Sequence, residues 1–354
     1  VIKYLGSKRL LVGVLGDIAQ AVGASTALDL FTGTTRVAQE LKSRGLFVTA
    51  ADVASYSGVF SDCYIATDAD CVDPTEVRAA LDELAALPGV RGYVTETFCE
   101  ASRYFQPHNG MRIDAIRDHI EARYAASPLR PILLTSLLDA ADRVDSTTGL
   151  QMAYLKAWAP RSYEDLTLRE PQLIAGPGRT VVGDAAETAR STPRVDLAYL
   201  DPPYNQHRYF TNYHVWETLV RWDAPEHYGI ACKRIDARDD VTKSRFNRKR
   251  EMPQALAELI ASVNAETVVV SYNDESWVTP EEMTSWLLDA GHEEVGVLAF
   301  DAKRYVGAQI GIFNGAGEKV GEVKKLRNTE LVFVAGPKEK VAAATAAPSA
   351  LAQR

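Results

Sequence analysis

Asp201-Pro202-Pro203-Tyr204 sets a carboxylate, a proline-stiffened turn and an aromatic ring directly behind the apolar run Val195-Asp196-Leu197-Ala198-Tyr199-Leu200. That run has the length and branching of a buried parallel strand, and two successive prolines let neither strand nor helix continue. The acid is therefore delivered at the carboxyl end of a strand, where open α/β sheets bind ligands. The prolines also leave carbonyl oxygens without local N–H partners. Carboxylate, fixed carbonyl and ring together suit a planar heterocycle bearing an amino group, with two acceptors for the NH2 and one face for stacking. The same residues could form a proline-rich turn with an incidental acid, so the reading needs a second site.

Leu28-Asp29-Leu30-Phe31-Thr32-Gly33-Thr34-Thr35 precedes Arg36-Val37-Ala38-Gln39-Glu40-Leu41, whose apolar spacing is helical. Strand, glycine turn and helix are the layout of a nucleotide-type pocket, with Gly33 permitting close backbone approach. The three-glycine dinucleotide fingerprint is missing, which disfavours nicotinamide-dependent hydride transfer. Leu46-Phe47-Val48-Thr49-Ala50-Ala51 reads as the next strand and ends in Asp52. An acid about twenty residues beyond a glycine turn can accept from ribose hydroxyls, and it can equally cap a helix. At the start of the chain, Lys3-Tyr4-Leu5-Gly6-Ser7-Lys8-Arg9 offers a tight turn or cap at Gly6 and Ser7 and two lysines able to reach a carboxylate.

In this order, Lys-Tyr-Leu-Gly-Ser-Lys, Asp-Leu-Phe-Thr-Gly-Thr and Asp-Pro-Pro-Tyr resemble the motifs of the α-group of adenine-N6 DNA methyltransferases, the Dam-like or D12 class. Asn205-Gln206-His207-Arg208-Tyr209-Phe210-Thr211-Asn212-Tyr213-His214 and Ser271-Tyr272-Asn273 resemble the branch that includes methylases of type IIS restriction systems. The likeness runs from Lys3 to about Val334. It implies S-adenosylmethionine as cofactor, with Lys3, Tyr4, Gly6, Ser7 and Lys8 in the N-terminal contact motif. It also implies Asp29 near the cofactor's amino group, Phe31 against its methionine portion, Gly33 in the loop, Asp52 on the ribose and Asp184 on the adenine. Asp201, Pro202, Pro203 and Tyr204 match the catalytic motif, with Asp201 also bordering the cofactor. Thr34-Thr35 departs from the Ser/Thr-Gly of many relatives. The implied reaction moves a methyl group to N6 of an adenine flipped out of double-stranded DNA, with no metal. N4-cytosine methylation and a catalytically silent DNA-binding subunit remain alternatives, although aspartate at 201 favours adenine over cytosine, whose enzymes commonly carry serine there. A cognate restriction endonuclease acting on the same site is an implied partner.

With 354 residues and 46% hydrophobic content, the chain can bury a full core. No apolar run approaches a bilayer span, and no signal-peptide pattern occurs. Cys63, Cys71, Cys99 and Cys232 lack paired metal spacing, which suits a reduced cytoplasmic compartment, and the resemblance implies a place beside a prokaryotic nucleoid. A net charge of −8 counts against a nucleic-acid partner, yet a sum can hide a patch. Lys243-Ser244-Arg245-Phe246-Asn247-Arg248-Lys249-Arg250 holds cations and no acid. Lys243, Arg245, Arg248, Lys249 and Arg250 are therefore candidate phosphate contacts, which Arg208 and Arg221 extend.

These elements read as α/β, and with the resemblance they imply a Rossmann-like, mostly parallel methyltransferase sheet with a terminal antiparallel hairpin and a helical recognition insertion. Residues 1–73 and 180–336 are expected to form the catalytic domain. Residues 74–179 are expected to read the target, as the resemblance implies, while part of 113–158 also packs against the sheet. The resemblance makes 143–156 a DNA-facing segment with Asn109 and Arg112 near it, and residues 337–354 are expected to form a disordered tail. Helices are predicted over 75–87, 113–124, 131–144, 213–222, 253–263 and 280–290, and terminal strands over 294–300 and 330–334.

Overall fold

The computed structural model describes residues 2–4, 8, 11–203, 208–273, 276–303, 312–313, 319–321 and 327–347. The strands are β1 (Thr26–Asp29), β2 (Phe47–Asp52), β3 (Gly178–Val182), β4 (Val195–Leu200), β5 (His227–Tyr228) and β6 (Lys233–Arg234). They continue as β7 (Ala265–Asn273), β8 (Glu294–Lys303), β9 (Ile312–Phe313), β10 (Lys319–Gly321) and β11 (Arg327–Gly336). Seven of them form one sheet in the order β3-β2-β1-β4-β7-β11-β8. β1, β2, β3, β4 and β7 pair in parallel, and β11 runs antiparallel to both β7 and β8. The terminal hairpin is thus present, and its return strand inserts between β7 and β8 instead of extending the edge. The sheet is mostly parallel with helices on both faces, as expected.

The first helices are α1 (Val12–Ala21), α2 (Arg36–Ser43), α3 (Ser55–Ser61), α4 (Pro74–Ala86), α5 (Pro107–Tyr124) and α6 (Arg130–Val144). The later ones are α7 (Ala185–Ser191), α8 (Tyr209–Asn212), α9 (His214–Arg221), α10 (Met252–Ser262), α11 (Pro280–Asp289) and α12 (Lys338–Ala346). Strand periodicity sorts them onto two faces. Leu197 and Tyr199 of β4 pack toward α1, α2 and α12, whereas Ala198 and Leu200 pack toward α7, α10 and α11.

A third core joins α4, α5 and α6. It is completed from outside 74–179 by Tyr56, Val59 and Phe60 of α3 and by Val215, Trp216 and Leu219 of α9. Glu217 of α9 fastens this union by accepting from Ser55 N at 3.1 Å.

The tail expected to be disordered from residue 337 instead forms α12 over Lys338–Ala346. Val341 and Ala344 are buried, Ala344 beside the apolar side chains of α1. Gly296 of β8 makes room: a Cβ there would lie 2.5 Å from Thr345 Cγ2. The alanines that suggested low complexity are good helix formers with one face covered. Residues 348–354 lie outside the described residues. Among the described helices, none is long and apolar enough to cross a membrane.

Candidate active site

Parallel pairing of β1 with β2 and β4 brings the carboxyl ends of three neighbouring strands to one edge, and each delivers an acid there: Asp29, Asp52 and Asp201. The loop after β1 is stitched to both neighbours, Leu30 N donating to Tyr199 O at 3.2 Å and Thr32 N to Ala51 O at 3.1 Å.

Asp29 is 1% exposed, and neither carboxylate oxygen has a well-formed hydrogen bond among the described residues. Burial pushes its carboxyl up to about 7, and the nearby Asp201 and Asp52 charges add to the rise. Asp52 is half-buried, and burial raises its pKa, opposed chiefly by two backbone donors. Those donors are Gly33 N at 2.9 Å and Ala54 N at 3.0 Å. Its side chain thereby fixes the glycine loop.

Gly33 has φ +51°, and a Cβ there would lie 2.9 Å from the Tyr4 ring. Glycine is required on both counts. Tyr4 stacks on Tyr213 at 4.7 Å, and Tyr213 stacks on Trp216 at 4.8 Å and 9°. The N-terminal motif is thus seated on the column that follows the catalytic turn. Phe31 meets Phe246 edge to face at 5.2 Å, so the segment carrying the basic run packs on the glycine loop.

Asp201 continues β4. Its Oδ1 lies 3.1 Å from Lys8 Nζ, and the same ammonium lies 3.0 Å from Glu330 Oε2 on β11. Asn273, the last residue of β7, donates to Glu330 Oε1 at 3.0 Å. Burial pushes the Asp201 carboxyl up to about 6; Lys8 opposes that rise and Glu330 adds to it. Pro202 is buried and Pro203 half-buried. Tyr204, Gly6 and Ser7 lie outside the described residues.

In the sequence alone Glu330 does no more than open a strand, and Asn273 enters only through the resemblance. The one local signal is a carboxylate at the head of the apolar run Leu331-Val332-Phe333-Val334.

Other candidate side chains are engaged within the protein. Lys3 is committed to the end of α6: its backbone N donates to Asp142 Oδ2 at 3.1 Å and its ammonium to Asp145 Oδ1 at 2.8 Å. Asp184 caps α7, with Oδ1 accepting from Ala186 N at 2.9 Å and Glu187 N at 3.1 Å. Asn109 is not at the surface. It is fully buried in α5 and holds the 162–166 loop through Glu164 O at 2.9 Å and Leu166 N at 2.9 Å. Arg112 donates to the Leu87 and Ala85 carbonyls at the end of α4, so it too is structural.

Within the basic run, Lys243 pairs with Asp240 at 2.8 Å, Arg245 with Glu258 at 2.8 Å and Arg248 with Glu251 at 2.9 Å. Lys249 and Arg250 are exposed and make no ion pair among the described residues, and Arg208 is exposed as well. Arg221 pairs with Asp236 at 3.0 Å. A separate cleft of about 750 Å³ lies between α2 and α6, lined in part by Arg36, Gln39, Asp139, Arg143 and Arg169. None of the three site acids lines it.

Comparison with known proteins bears on this arrangement. Residues 4–286 match the family model of the D12 class N6 adenine-specific DNA methyltransferases. The chain is 30% identical to the Type II methyltransferase M.NlaIII of Neisseria lactamica, over 77% of this chain and 83% of that protein. It is 29% identical to the Type II methyltransferase M.CviAII of Paramecium bursaria Chlorella virus 1, over 84% of this chain and 90% of that one. Against the modification methylase StsI of Streptococcus sanguinis it is 29% identical over 80% of its own length, which spans only 46% of StsI. The chain belongs to the D12 class of N6 adenine-specific DNA methyltransferases, which draw the methyl group from S-adenosylmethionine.

Proposed function

We propose that this adenine methyltransferase takes its target base flipped out of duplex DNA against Asp201, with the cofactor held along Asp29, Phe31, Gly33 and Asp52. The observation that carries this reading is the unequal state of two acids at one sheet edge. Asp29 is a buried carboxylate whose oxygens have no partner among the described residues, which fits an ammonium such as the cofactor's amino group. Asp201 has Oδ1 on Lys8 and no described residue on Oδ2, which leaves an acceptor for an N–H of the base. When bound, S-adenosylmethionine supplies an electrophilic methyl group.

The chain's own residues supply the rest. The adenine N6 lone pair is delocalised into the ring, so the nitrogen is a poor nucleophile. Asp201 Oδ2 and the Pro202 carbonyl accept its two N–H groups, favour a more tetrahedral nitrogen and stabilise the positive charge that develops there. Holding the amine in place accounts for much of the remainder, positioning being worth roughly 7–11 kcal/mol. Stacking on Tyr204 helps offset the few kcal/mol of unstacking. Asp52 keeps lone pairs for the ribose while fixing the loop, and Asp184 borders the adenine end. Residues 74–179 read the sequence, while Arg208, Lys249 and Arg250 hold phosphates, joined by Lys243, Arg245 and Arg248 once their surface partners let go. A restriction endonuclease with the same target site is the partner that the modification methylases among the relatives suggest, and a DNA substrate would keep the enzyme at the nucleoid.

The test is tritium transfer from labelled S-adenosylmethionine to duplex DNA, followed by digestion to the modified base. The expected product is N6-methyladenine. Asp201→Ala should lower kcat by roughly 10²–10³-fold or more, the scale for losing one preorganised charge-stabilising group, and leave cofactor affinity nearly unchanged. Near-normal turnover of that variant would remove Asp201 from the catalytic role.

A further inference from the structure

We infer that Glu330, braced by Asn273, is a positioning residue that keeps the Lys8 ammonium shared on one oxygen of Asp201 and so leaves the other oxygen a charged acceptor for the target amine. The inference rests on the role proposed for Asp201.

Three adjacent strands supply the parts. Asp201 follows the end of β4, Asn273 ends β7, and Glu330 faces Asn273 in the β11–β7 register. Lys8 reaches in from the N-terminal segment, its carbonyl accepting from Leu11 N at 2.7 Å and Val12 N at 2.9 Å at the start of α1. The ammonium therefore enters along a path anchored by backbone hydrogen bonds. The three side chains are 7%, 19% and 15% exposed for Lys8, Asp201 and Glu330. In such a site charge interactions are stronger than at the surface.

The arrangement is unsymmetrical in a useful way. Asn273 occupies Glu330 Oε1, which turns Oε2 toward Lys8. An ammonium held by Asp201 alone would neutralise it and weaken it as an acceptor. Shared between two carboxylates, the ammonium leaves one negative charge on the cluster, next to the nitrogen that becomes positive. Lys8 still draws Asp201 toward the ionised form, while Glu330 draws it the other way. Among the described residues the Asp201 charge in turn raises the pKa of Asp29 at the end of β1 and of the buried Tyr199 phenol on β4.

Glu330→Gln in the full chain tests this with three readouts: kcat against pH, calorimetric cofactor affinity, and the Asp201 carboxyl titration followed by 13C NMR without cofactor. The expected result has two parts that a merely structural residue would not combine. The plateau kcat falls on the order of tenfold, equivalent to about 1.4 kcal/mol, with cofactor affinity unchanged. The acid limb and the NMR titration both move to lower pH, because a negative charge that raises the Asp201 pKa is gone. Glu330→Asp keeps the charge and should keep the wild-type acid limb. A wild-type plateau and titration in Glu330→Gln would overturn the inference, whatever the melting temperature does. Should that variant fail to fold, Asn273→Ser carries the test: lower kcat at unchanged cofactor affinity supports the brace, and unchanged kcat refutes it. Active Asp201→Ala would instead sink the underlying reading, whereas inactive Asp201→Ala with normal Glu330→Gln would sink this inference alone.

Discussion

Asp29 and Asp201 are the same residue type at the ends of adjacent strands, and their surroundings give them different chemistry. Asp201 shares a cation and is pushed up to about 6, whereas Asp29 has no counter-charge among the described residues and is pushed up to about 7. Asp29 therefore burdens the folded protein when no ligand is bound. An unfolded aspartate titrates near 3.9, so between that pH and about 7 the folded state binds a proton that the unfolded chain does not. Stability is gained as pH falls through this window and lost as pH rises through 7. Asp29→Asn should therefore raise the melting temperature of cofactor-free protein at pH 8, by at most roughly 4 kcal/mol of stability. The gain should shrink toward pH 5, and cofactor affinity should drop. Melts at pH 5 and pH 8 check it, and a difference independent of pH would contradict the account of Asp29 as an uncompensated buried charge.

The elements that carry the acids were legible because their signals are local. An apolar run, a glycine turn and a helical pattern identified β1 and α2, and a double proline marked the end of β4. Contacts between distant residues were not legible: Lys8 and Glu330 are 322 positions apart, and Lys3 and Asp145 are 142 apart. The resemblance puts Asn109 and Arg112 near a DNA-facing segment, and no pattern in one sequence shows that a polar group is spent on a neighbouring loop. The insertion of β11 between β7 and β8 is likewise a pairing choice that two apolar runs do not specify. At Asp184, the resemblance suggests the cofactor adenine while the geometry shows a helix cap, and a substitution can separate the two. Asp184→Ala should lower stability by about 0.5–2 kcal/mol, the usual loss for a missing cap. Asp184→Ser restores the cap but removes the charge. If Ser recovers both the melting temperature and the cofactor affinity, capping is the whole role; if affinity stays low, the carboxylate also faces the cofactor.

At the scale of the whole molecule, a chain with net charge −8 has to approach a polyanion, so the arrangement of its cations matters more than their number. Five cations in the 243–250 segment suggested one uniform phosphate contact, but three of them are paired with acids on neighbouring elements. Such exposed pairs contribute about 0–1 kcal/mol and open readily, but each leaves an acid behind that repels phosphate. Lys249 and Arg250 have no such acid among the described residues, and Phe246, packed on Phe31, ties their segment to the cofactor loop. The two halves of the run should therefore differ. Replacing Lys249 and Arg250 with Gln should flatten the slope of log affinity against log salt by about 0.9 for each phosphate no longer neutralised, on specific and non-specific duplexes alike, because fewer counterions are released. Replacing Lys243 and Arg245 should change the slope less. Target preference should persist in both variants, since phosphate contacts set register without reading bases. Equal slopes for the two double variants would show that the internal ion pairs do not bias the run. A changed target preference would mean that base reading extends into the segment between β6 and α10.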